Sequence, residues 1–382
     1  MGARATDVII VGGGAIGCAV AWELATRGVS VTVIERDVPG RAATWAAGGM
    51  LSPLAEADAA GPFLDIALAS LERYPAFIAA LEEAAGLSVD YRTEGKLLAA
   101  LDESHAERLR RICAWQRESG FAVEWLDPPD VLALEPRIAV TVCGGVSLPH
   151  DHCVDNRRLG RALWLAAARA GVRFRIGDAA AAIVTAPAGA YAAGTAAGVR
   201  LADGEVLAGG HVIIAAGAWS GRIEGLPRPL PVHPVRGQMA AVRVVPPVLR
   251  RVVETAGCYL IPRSSGDLVI GSTMERVGYR QHTTPGGLGG ILAAAVAALP
   301  SLADAPITEQ WAGLRPGTPD GLPILGPDPE LRGLSYATGH FRNGILLTPI
   351  TAALLADVLT GTAPALSLDP FSVERFAPSH AS

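Results

Sequence analysis

The sequence predicts an α/β protein in which a nucleotide-binding domain with a doubly wound parallel sheet is interleaved with a second domain of antiparallel-sheet (α+β) character. Three stretches lead to this prediction. Residues 6–36 read as strand, glycine turn, helix and strand, which is a βαβ unit. Residues 211–221 form another buried apolar strand that leads into a glycine turn. Residues 232–280 alternate in the manner of antiparallel strands.

The other elements follow from apolar spacing and from end signals. Pro75 is expected to break or kink the helix in which it lies, and Asp155 to cap the start of another. The stretch 178–199, rich in Ala and Gly, is predicted to form a loose hairpin without a chemical role. Helical spacing predicts helices over 15–27, 64–85, 104–119, 155–171 and 344–359, and apolar runs predict strands over 8–11, 29–34, 94–101 and 172–176.

The order of these elements predicts two discontinuous domains. We expect the nucleotide-binding domain to consist of residues 1–90, 145–225 and 310–382. The second domain, which we expect to bind the substrate, is predicted over 91–144 and 226–309.

Composition excludes several classes of protein. The net charge of −5 does not fit a nucleic-acid-binding surface, which would be basic. Five scattered cysteines, with no C-x-x-C pair, predict reduced thiols in a cytoplasmic protein and neither a disulfide frame nor a metal site. No signal peptide precedes the first strand, and the longest apolar run, 288–299, is too short to span a membrane. Lys96 is the only lysine, which we interpret as composition bias.

The glycine turn after the first strand predicts a dinucleotide site. Gly12 permits the tight turn, Gly14 lets the backbone approach a pyrophosphate, and Gly17 lets helix and strand pack closely. The helix N-terminus offers N–H groups to the phosphates. Glu35, at the end of the second strand, is positioned for ribose hydroxyls. Arg36 is interpreted as a solvated side chain, since Glu35 would oppose a 2′-phosphate.

The glycine turn does not choose between NAD and FAD. The segment "RAATWAAGGM" (41–50) is flexible and built of small residues, with Thr44 as a hydroxyl donor. Its backbone could pass close to a flat ring system, or it could be an ordinary linker.

A single cation stands in the apolar stretch "WAGLRPGTPDGLPILG" (311–326). A buried unpaired charge is costly, so Arg315 must reach water, pair with Asp320, or receive an anionic ligand. A guanidinium can hold a carboxylate through two parallel hydrogen bonds, and apolar surroundings strengthen that contact. From the residues alone, these alternatives stay open.

Five stretches resemble one family. The N-terminal βαβ unit, "AAGGM", "IIAAGAWSG", "WAGLRPGTPDGLPILG" and "GHFRNGILLTP" occur in the order seen in FAD-dependent amine oxidases of the D-amino-acid oxidase and sarcosine oxidase type. The resemblance spans about residues 6–360 and is strongest to the glycine oxidases of the thiamine pathway. The two C-terminal motifs are far more specific than the glycine turn.

The resemblance implies FAD as the cofactor. Related sarcosine oxidases attach FAD through a cysteine near the C-terminal arginine motif, and here no cysteine follows Cys258, so we expect non-covalent binding. The predicted helix that begins at 344 would point its positive end toward the flavin. The implied FAD-binding residues are Gly12, Gly14, Ala15, Ile16, Gly17, Glu35, Arg36, Ala43, Thr44, Gly48, Gly49, Met50, Ala180, His340, Phe341, Arg342, Asn343, Gly344, Ile345 and Leu346.

The resemblance also implies the substrate contacts. Arg315 would bind the substrate carboxylate, Tyr259 would help through its phenol, Arg342 would lie near the same pocket, and Met274 would form an apolar wall. From the residues alone, Tyr259 could instead be a core tyrosine, Arg342 could pair with an acid, and Met274 could be a core residue. We interpret His340 as a histidine that hydrogen-bonds near the flavin and not as a general base.

The implied activity is oxidative deamination of glycine, with sarcosine and small D-amino acids as further substrates and oxygen as the electron acceptor. The alternative is a D-amino-acid or sarcosine dehydrogenase that passes electrons to a carrier. The family leads us to expect a homotetramer. Gly257 and Trp45 depart from the family pattern and leave substrate preference open.

Overall fold

The structure is a computed structural model that describes residues 6–186 and 194–377. Its strands are β1 Thr6–Val11, β2 Val31–Glu35, β3 Met50–Leu51, β4 Lys96–Ala100, β5 Glu124–Leu126, β6 Gly144–Leu148, β7 His152–Cys153, β8 Arg173–Ile176, β9 Ala180–Thr185, β10 Ala196–Leu201, β11 Val206–Ile214, β12 His233–Arg243, β13 Val252–Glu254, β14 Tyr259–Pro262, β15 Asp267–Gly271, β16 Ile307–Gly317, β17 Ile324–Pro327 and β18 Leu334–Thr338. Its α-helices are α1 Ala15–Thr26, α2 Ala43–Ala46, α3 Pro62–Ala85, α4 Glu103–Glu118, α5 Pro128–Leu134, α6 Asn156–Arg169, α7 Pro285–Ala298 and α8 Thr348–Leu359.

The first sheet is the predicted nucleotide-binding sheet. Its strands run in the order β17-β18-β11-β1-β2-β8, and the five from β18 to β8 are parallel. Because β1 lies between β2 and β11, the carboxyl ends of all three meet at one edge, where ligands bind in sheets of this type. Helices α1, α3, α6 and α8 pack into one apolar core on this sheet. The predicted α/β class is confirmed.

The second sheet has eight strands in the order β16-β12-β15-β14-β13-β4-β6-β5. All neighbours are antiparallel except β13 and β4, which run parallel. The antiparallel prediction for 232–280 is thus confirmed. Strands β6 and β16 pair within this second sheet, although the predicted boundaries assign most of their residues, 145–148 and 310–317, to the first domain. The domain division itself stays a prediction.

Most of the predicted helices and strands are present in the structure. Asp155 caps α6 as expected, because its carboxylate accepts from the backbone N–H groups of Arg157 and Arg158. The predicted hairpin forms from β9 and β10, and residues 187–193 of it lie outside the described residues. The lead before residue 6 also lies outside them.

Two helices differ from what the sequence predicts. Pro75 does not break α3, which continues from residue 62 to residue 85, and the alternative that Pro75 kinks the helix stays a prediction. The last helix begins at Thr348 and not at 344. Residues 341–347 form turns, closed by hydrogen bonds such as Leu347 N to Asn343 O at 2.8 Å. Along the described ranges, no helix combines the length and the apolar character needed to cross a membrane.

Candidate active site

A cavity of about 490 Å³ is lined by residues of both sheets. At one end it is lined by the carboxyl ends of β1 and β2, with Gly12 and Glu35. At the other end it is lined by the second sheet, with Tyr259 and Arg315. The cavity therefore brings residues of the nucleotide-binding sheet and of the second sheet to one site.

The glycine turn fits a pyrophosphate. Gly12 has a φ of +110°, and a Cβ there would lie 2.4 Å from the carbonyl oxygen of Ala215. A Cβ at Gly17 would lie 1.9 Å from the Gly12 oxygen, so α1 packs tightly on β1. Gly14, Ala15 and the start of α1 face the cavity, where their backbone can receive phosphate oxygens.

Glu35 is fixed at the end of β2 by two backbone donors. Its carboxylate accepts from Gly13 N at 2.8 Å and from Asp37 N at 3.0 Å. This carboxylate borders the cavity beside the glycine turn, as a ribose ligand requires. Arg36 is exposed and lies 3.6 Å from the ring centre of Trp219, which agrees with its interpretation as a solvated side chain.

The segment 41–50, predicted to be flexible from its composition, forms several hydrogen bonds with the rest of the protein. Thr44 and its neighbours form α2, and the Thr44 hydroxyl accepts from Ala15 N at 2.9 Å. Asn156 donates to the carbonyl oxygen of Thr44 at 2.8 Å, and Arg263 donates to that of Gly48 at 2.7 Å. The contacts of Asn156 and Arg263 were not predicted, because these residues are far from the segment in sequence and meet it only in the folded chain.

The stretch 340–345 also lines the cavity. His340 is buried and shares a hydrogen bond of 3.1 Å with the Thr351 hydroxyl through Nε2. Burial lowers the pKa of His340 to about 3, so the ring is neutral near pH 7 and its bond to Thr351 agrees with the structural interpretation. The turns before α8, and not the helix itself, therefore present backbone groups to the cavity.

Two of the predicted cofactor contacts do not line the cavity. Gly17 lies beneath the glycine turn, and Leu346 is buried in the core of the first domain. The residues that do line it, as expected, are Gly12, Gly14, Ala15, Ile16, Glu35, Arg36, Ala43, Thr44, Gly48, Gly49, Met50, Ala180, His340, Phe341, Arg342, Asn343, Gly344 and Ile345.

Arg315 has no acidic partner in the part of the chain that the structure describes. Asp320 pairs instead with Arg375, at 2.7 Å. The Arg315 guanidinium lies over Gly237 on β12, where an added Cβ would come within 2.3 Å of it. It donates to Thr273 O at 3.1 Å and to Ser272 Oγ at 2.5 Å. These contacts orient the guanidinium toward the cavity and leave its positive charge uncompensated.

Tyr259 lies over Gly271 on β15, where a Cβ would lie 2.4 Å from the phenol ring. Its hydroxyl contacts only Met239 Sδ, at 3.7 Å, among the described residues. Because a thioether is a weak acceptor, the hydroxyl can donate to a stronger acceptor that enters the cavity. Tyr259 is therefore not a core tyrosine with a backbone partner.

The two side chains lie over adjacent strands. Met239 is paired with Gly271 across β12 and β15, so Gly237 is a diagonal neighbour of Gly271. Such neighbours are about 7–8 Å apart, a span that one small carboxylate bridges when hydrogen-bonded on both sides. The second sheet thus presents a guanidinium and a phenol to one anion.

The other two predicted substrate contacts lie at the edge of this arrangement. Arg342 pairs with Glu56 at 2.5 Å, which is the acid pairing that the residues alone left open. Met274 lines the cavity but is 57 % exposed, so it lies at the mouth and is not a core residue. Glu56 and Glu254 also line the cavity and were missed, since isolated glutamates in a sequence carry no pattern.

Comparison with known proteins assigns the family. The family model described as DAO, FAD dependent oxidoreductase, matches residues 7–358. The chain belongs to this FAD-dependent oxidoreductase family. The predicted resemblance is confirmed, and FAD is the cofactor of this family. That the glycine turn, Glu35 and the segment 43–50 bind it stays a prediction.

Relatives of this oxidoreductase are similar over nearly its whole length. The bifunctional protein ThiO/ThiG of Trichormus variabilis is 39% identical over 97% of this chain. The chain spans about half the length of that relative, 55%. Glycine oxidase of Geobacillus kaustophilus is 36% identical over 97% of both chains. The crystal structure of glycine oxidase from that organism has a TM-score of 0.92 and covers 98% of this chain and 100% of its own.

Proposed function

We propose that this protein is an FAD-dependent oxidase that deaminates glycine, with sarcosine and small D-amino acids as further substrates. The observation that carries the proposal is the unpaired Arg315 guanidinium beside the Tyr259 hydroxyl on the cavity face of the second sheet. The similarity to proteins named glycine oxidase supports the choice of a small amino acid as the ligand.

The chain's own residues bind and orient the substrate. Arg315 binds the carboxylate through parallel N–H donors, and Tyr259 donates a further hydrogen bond to it. With the carboxylate fixed, the Cα–H bond of glycine is held in one orientation, which is the main catalytic contribution of such a site. FAD, when bound, would supply the acceptor for the hydride that leaves Cα and the route by which its electrons reach oxygen. Water then hydrolyses the imine to glyoxylate and ammonia, and oxygen leaves as hydrogen peroxide.

No side chain is required to remove the Cα proton in this scheme. The hydrogen leaves Cα with its electron pair, so the substrate nitrogen must be uncharged when the bond breaks. His340 is neutral but bonded to Thr351, and we assign it to holding the turns before α8.

We place the reaction in thiamine biosynthesis, where the imine would supply the thiazole-forming step. Support comes from the likeness to the ThiO/ThiG relatives, which extend well beyond the length of this chain. A cytoplasmic location, supported by free cysteines throughout the described residues, and a homotetramer remain predictions.

The test is the flavin absorbance of the purified protein under argon, with and without glycine. We expect glycine to bleach the flavin and oxygen to restore it with one hydrogen peroxide per imine. A flavin that stays yellow with glycine would overturn the proposal. Bleaching without peroxide in air would favour the alternative, a dehydrogenase that needs a carrier.

A further inference from the structure

A group of charged side chains lies at the substrate end of the cavity and has no part in the proposed chemistry so far. Lys96 Nζ contacts Glu254 Oε2 at 2.6 Å, and Arg342 contacts Glu56 at 2.5 Å. Lys96 and Asp151 are only 1 % and 2 % exposed. Asp151 lies beside Lys96, because its backbone N–H donates at 3.2 Å to the carbonyl oxygen of Leu148, the residue paired with Lys96 across β4 and β6. We define the charged cluster as Glu56, Lys96, Asp151, Glu254 and Arg342.

Lys96 connects the carboxylates of the charged cluster. Burial disfavours the ammonium form, but Glu254, Asp151 and Glu56 outweigh it and raise the pKa of Lys96 above its ordinary value. The sequence uses arginine for every other cation, and its single lysine stands at this buried position. Composition bias explains the many arginines but not the place of this lysine.

The charged cluster contains one carboxylate more than it has cations. Two cations face three acids, and a buried uncompensated carboxylate is costly. Burial raises the pKa of Asp151 to about 7, although Lys96 opposes the shift. At neutral pH the charged cluster can therefore take up one proton and become neutral.

Two other titratable groups lie near the charged cluster. His105, on α4, faces Glu254, and burial lowers its pKa. Tyr259 faces Arg342. The charged groups with the largest effect on Asp151 are Lys96, Glu254 and Glu56.

The charged cluster opens to the substrate. Glu56, Glu254 and Arg342 line the cavity, while Lys96 and Asp151 lie behind them. Glu254 on β13 is paired with Tyr259 on β14, and directly paired residues place their side chains on the same face of a sheet. A carboxylate of the cluster is thus the immediate neighbour of the phenol that contacts the substrate.

We propose that the charged cluster accepts the proton that the substrate ammonium gives up before its Cα–H bond breaks. This inference rests on the proposed oxidation of an amino acid. An N–H bond breaks, its electron pair stays on nitrogen, and the proton adds to a carboxylate at the cavity wall, Glu254 or Glu56. The proton comes to rest on Asp151, and no electron moves. The cluster passes from a charge of −1 to zero.

The test is Asp151→Asn, which is isosteric with the protonated acid and cannot accept a proton. The measurement is the rate of flavin bleaching by glycine under argon from pH 6 to pH 9. In the natural protein we expect the rate to fall only below about pH 7, where Asp151 is already protonated. In the variant only uncharged glycine reacts, so the rate should rise about tenfold per pH unit and lie at least about tenfold lower at pH 7.

The matched control is Asp328→Asn. Asp328 is a buried aspartate outside the cavity that accepts from Tyr336 Oη at 2.6 Å. We expect this control to lower stability and to leave the pH profile unchanged. A profile of natural shape in Asp151→Asn, or an equal loss at every pH, would overturn the proposal. Absence of bleaching in the natural protein would instead contradict the proposed function.

A second measurement does not depend on activity. Infrared difference spectra of the protein should show the carbonyl band of a protonated buried carboxyl that disappears as the pH rises through about 7. The band should be missing in Asp151→Asn. Its presence in the variant, or its absence in the natural protein, would show that Asp151 does not hold the exchangeable proton.

Discussion

The side chains around Arg315 leave its positive charge available to a ligand. Its guanidinium is held by a carbonyl and a hydroxyl, neither of which carries charge. Asp320, which is near Arg315 in the sequence, forms an ion pair with Arg375 instead. The Arg315 guanidinium is thus held in one orientation while its charge is not neutralised. This favours binding of a carboxylate, since the full charge remains available to the ligand.

Replacing Arg315 by lysine tests whether the guanidinium binds the substrate carboxylate. Lysine keeps the charge but loses the planar pair of donors. A lost charge-assisted hydrogen bond costs about 1.5–3 kcal/mol, which corresponds to a KM for glycine about ten to a hundred times higher. Steady-state kinetics with the FAD content measured in parallel provide the check. Unchanged KM, with FAD bound, would remove Arg315 from the substrate site.

Strands β12 and β15 provide the space in which the two proposed substrate contacts, Arg315 and Tyr259, lie. Gly237 and Gly271 have no side chain, so the guanidinium and the phenol lie flat on the sheet above them. The segment after β15 is fixed in turn. Glu275 pairs with Arg236 and accepts from Gln238 Nε2 at 2.6 Å. These contacts hold the loop that carries Ser272 and Thr273, the partners of Arg315.

Gly237→Ala should therefore impair substrate binding more than folding. The added Cβ would lie 2.3–2.6 Å from three atoms of the Arg315 guanidinium. Because that group is the end of a flexible side chain, it can move away at little cost in stability. We expect a KM about tenfold higher and a melting temperature within a few degrees of the natural value.

The control for Gly237→Ala is Gly289→Ala in α7, where an added Cβ meets no atom within 4 Å. That substitution should stabilise the helix by about 0.5–1 kcal/mol and leave KM unchanged. Equal kinetics in the two variants would show that the Arg315 guanidinium does not need the space above Gly237.

Local elements were predictable because their signals are local. The glycine turn, the Asp155 cap and the apolar runs each act over a few residues, and each has its counterpart. The start of α8 was misplaced because Gly344–Leu347 have helical spacing but form turns, whose carbonyls are bound by Ser70 and Tyr74 of α3. A sequence pattern does not reveal such a distant partner.

The part of the site that depends on strand pairing between distant segments of the whole molecule could not be predicted from the sequence. The resemblance supplied Arg315 and Tyr259, but the acids near them come from other segments. Glu254 and Lys96 meet because β13 pairs with β4, at a separation of more than 150 residues. Without that topology, the only lysine had no evident role.

The pH dependence of stability is also a property of the whole molecule, and His211 tests it. Burial lowers the pKa of His211 to about 4 from its ordinary value of 6.5, and its Nε2 shares a hydrogen bond of 2.8 Å with Ser335. In the unfolded chain His211 therefore binds a proton below about pH 6.5, whereas in the folded protein it binds one only below about pH 4. His340 behaves in the same direction. Stability is lost as the pH falls through this window, by up to about 1.4 kcal/mol per unit for each histidine.

Asp151 acts in the opposite sense, because its raised pKa favours the folded protein at low pH and the effect is lost as the pH rises to about 7. The comparison must therefore be made between variants. His211→Gln keeps a polar group near Ser335 and cannot be protonated. Urea unfolding at pH 7 and pH 5 should show that the natural protein loses more stability between the two values than His211→Gln does. Equal losses in both proteins would mean that His211 is protonated as readily in the folded state as in the unfolded chain.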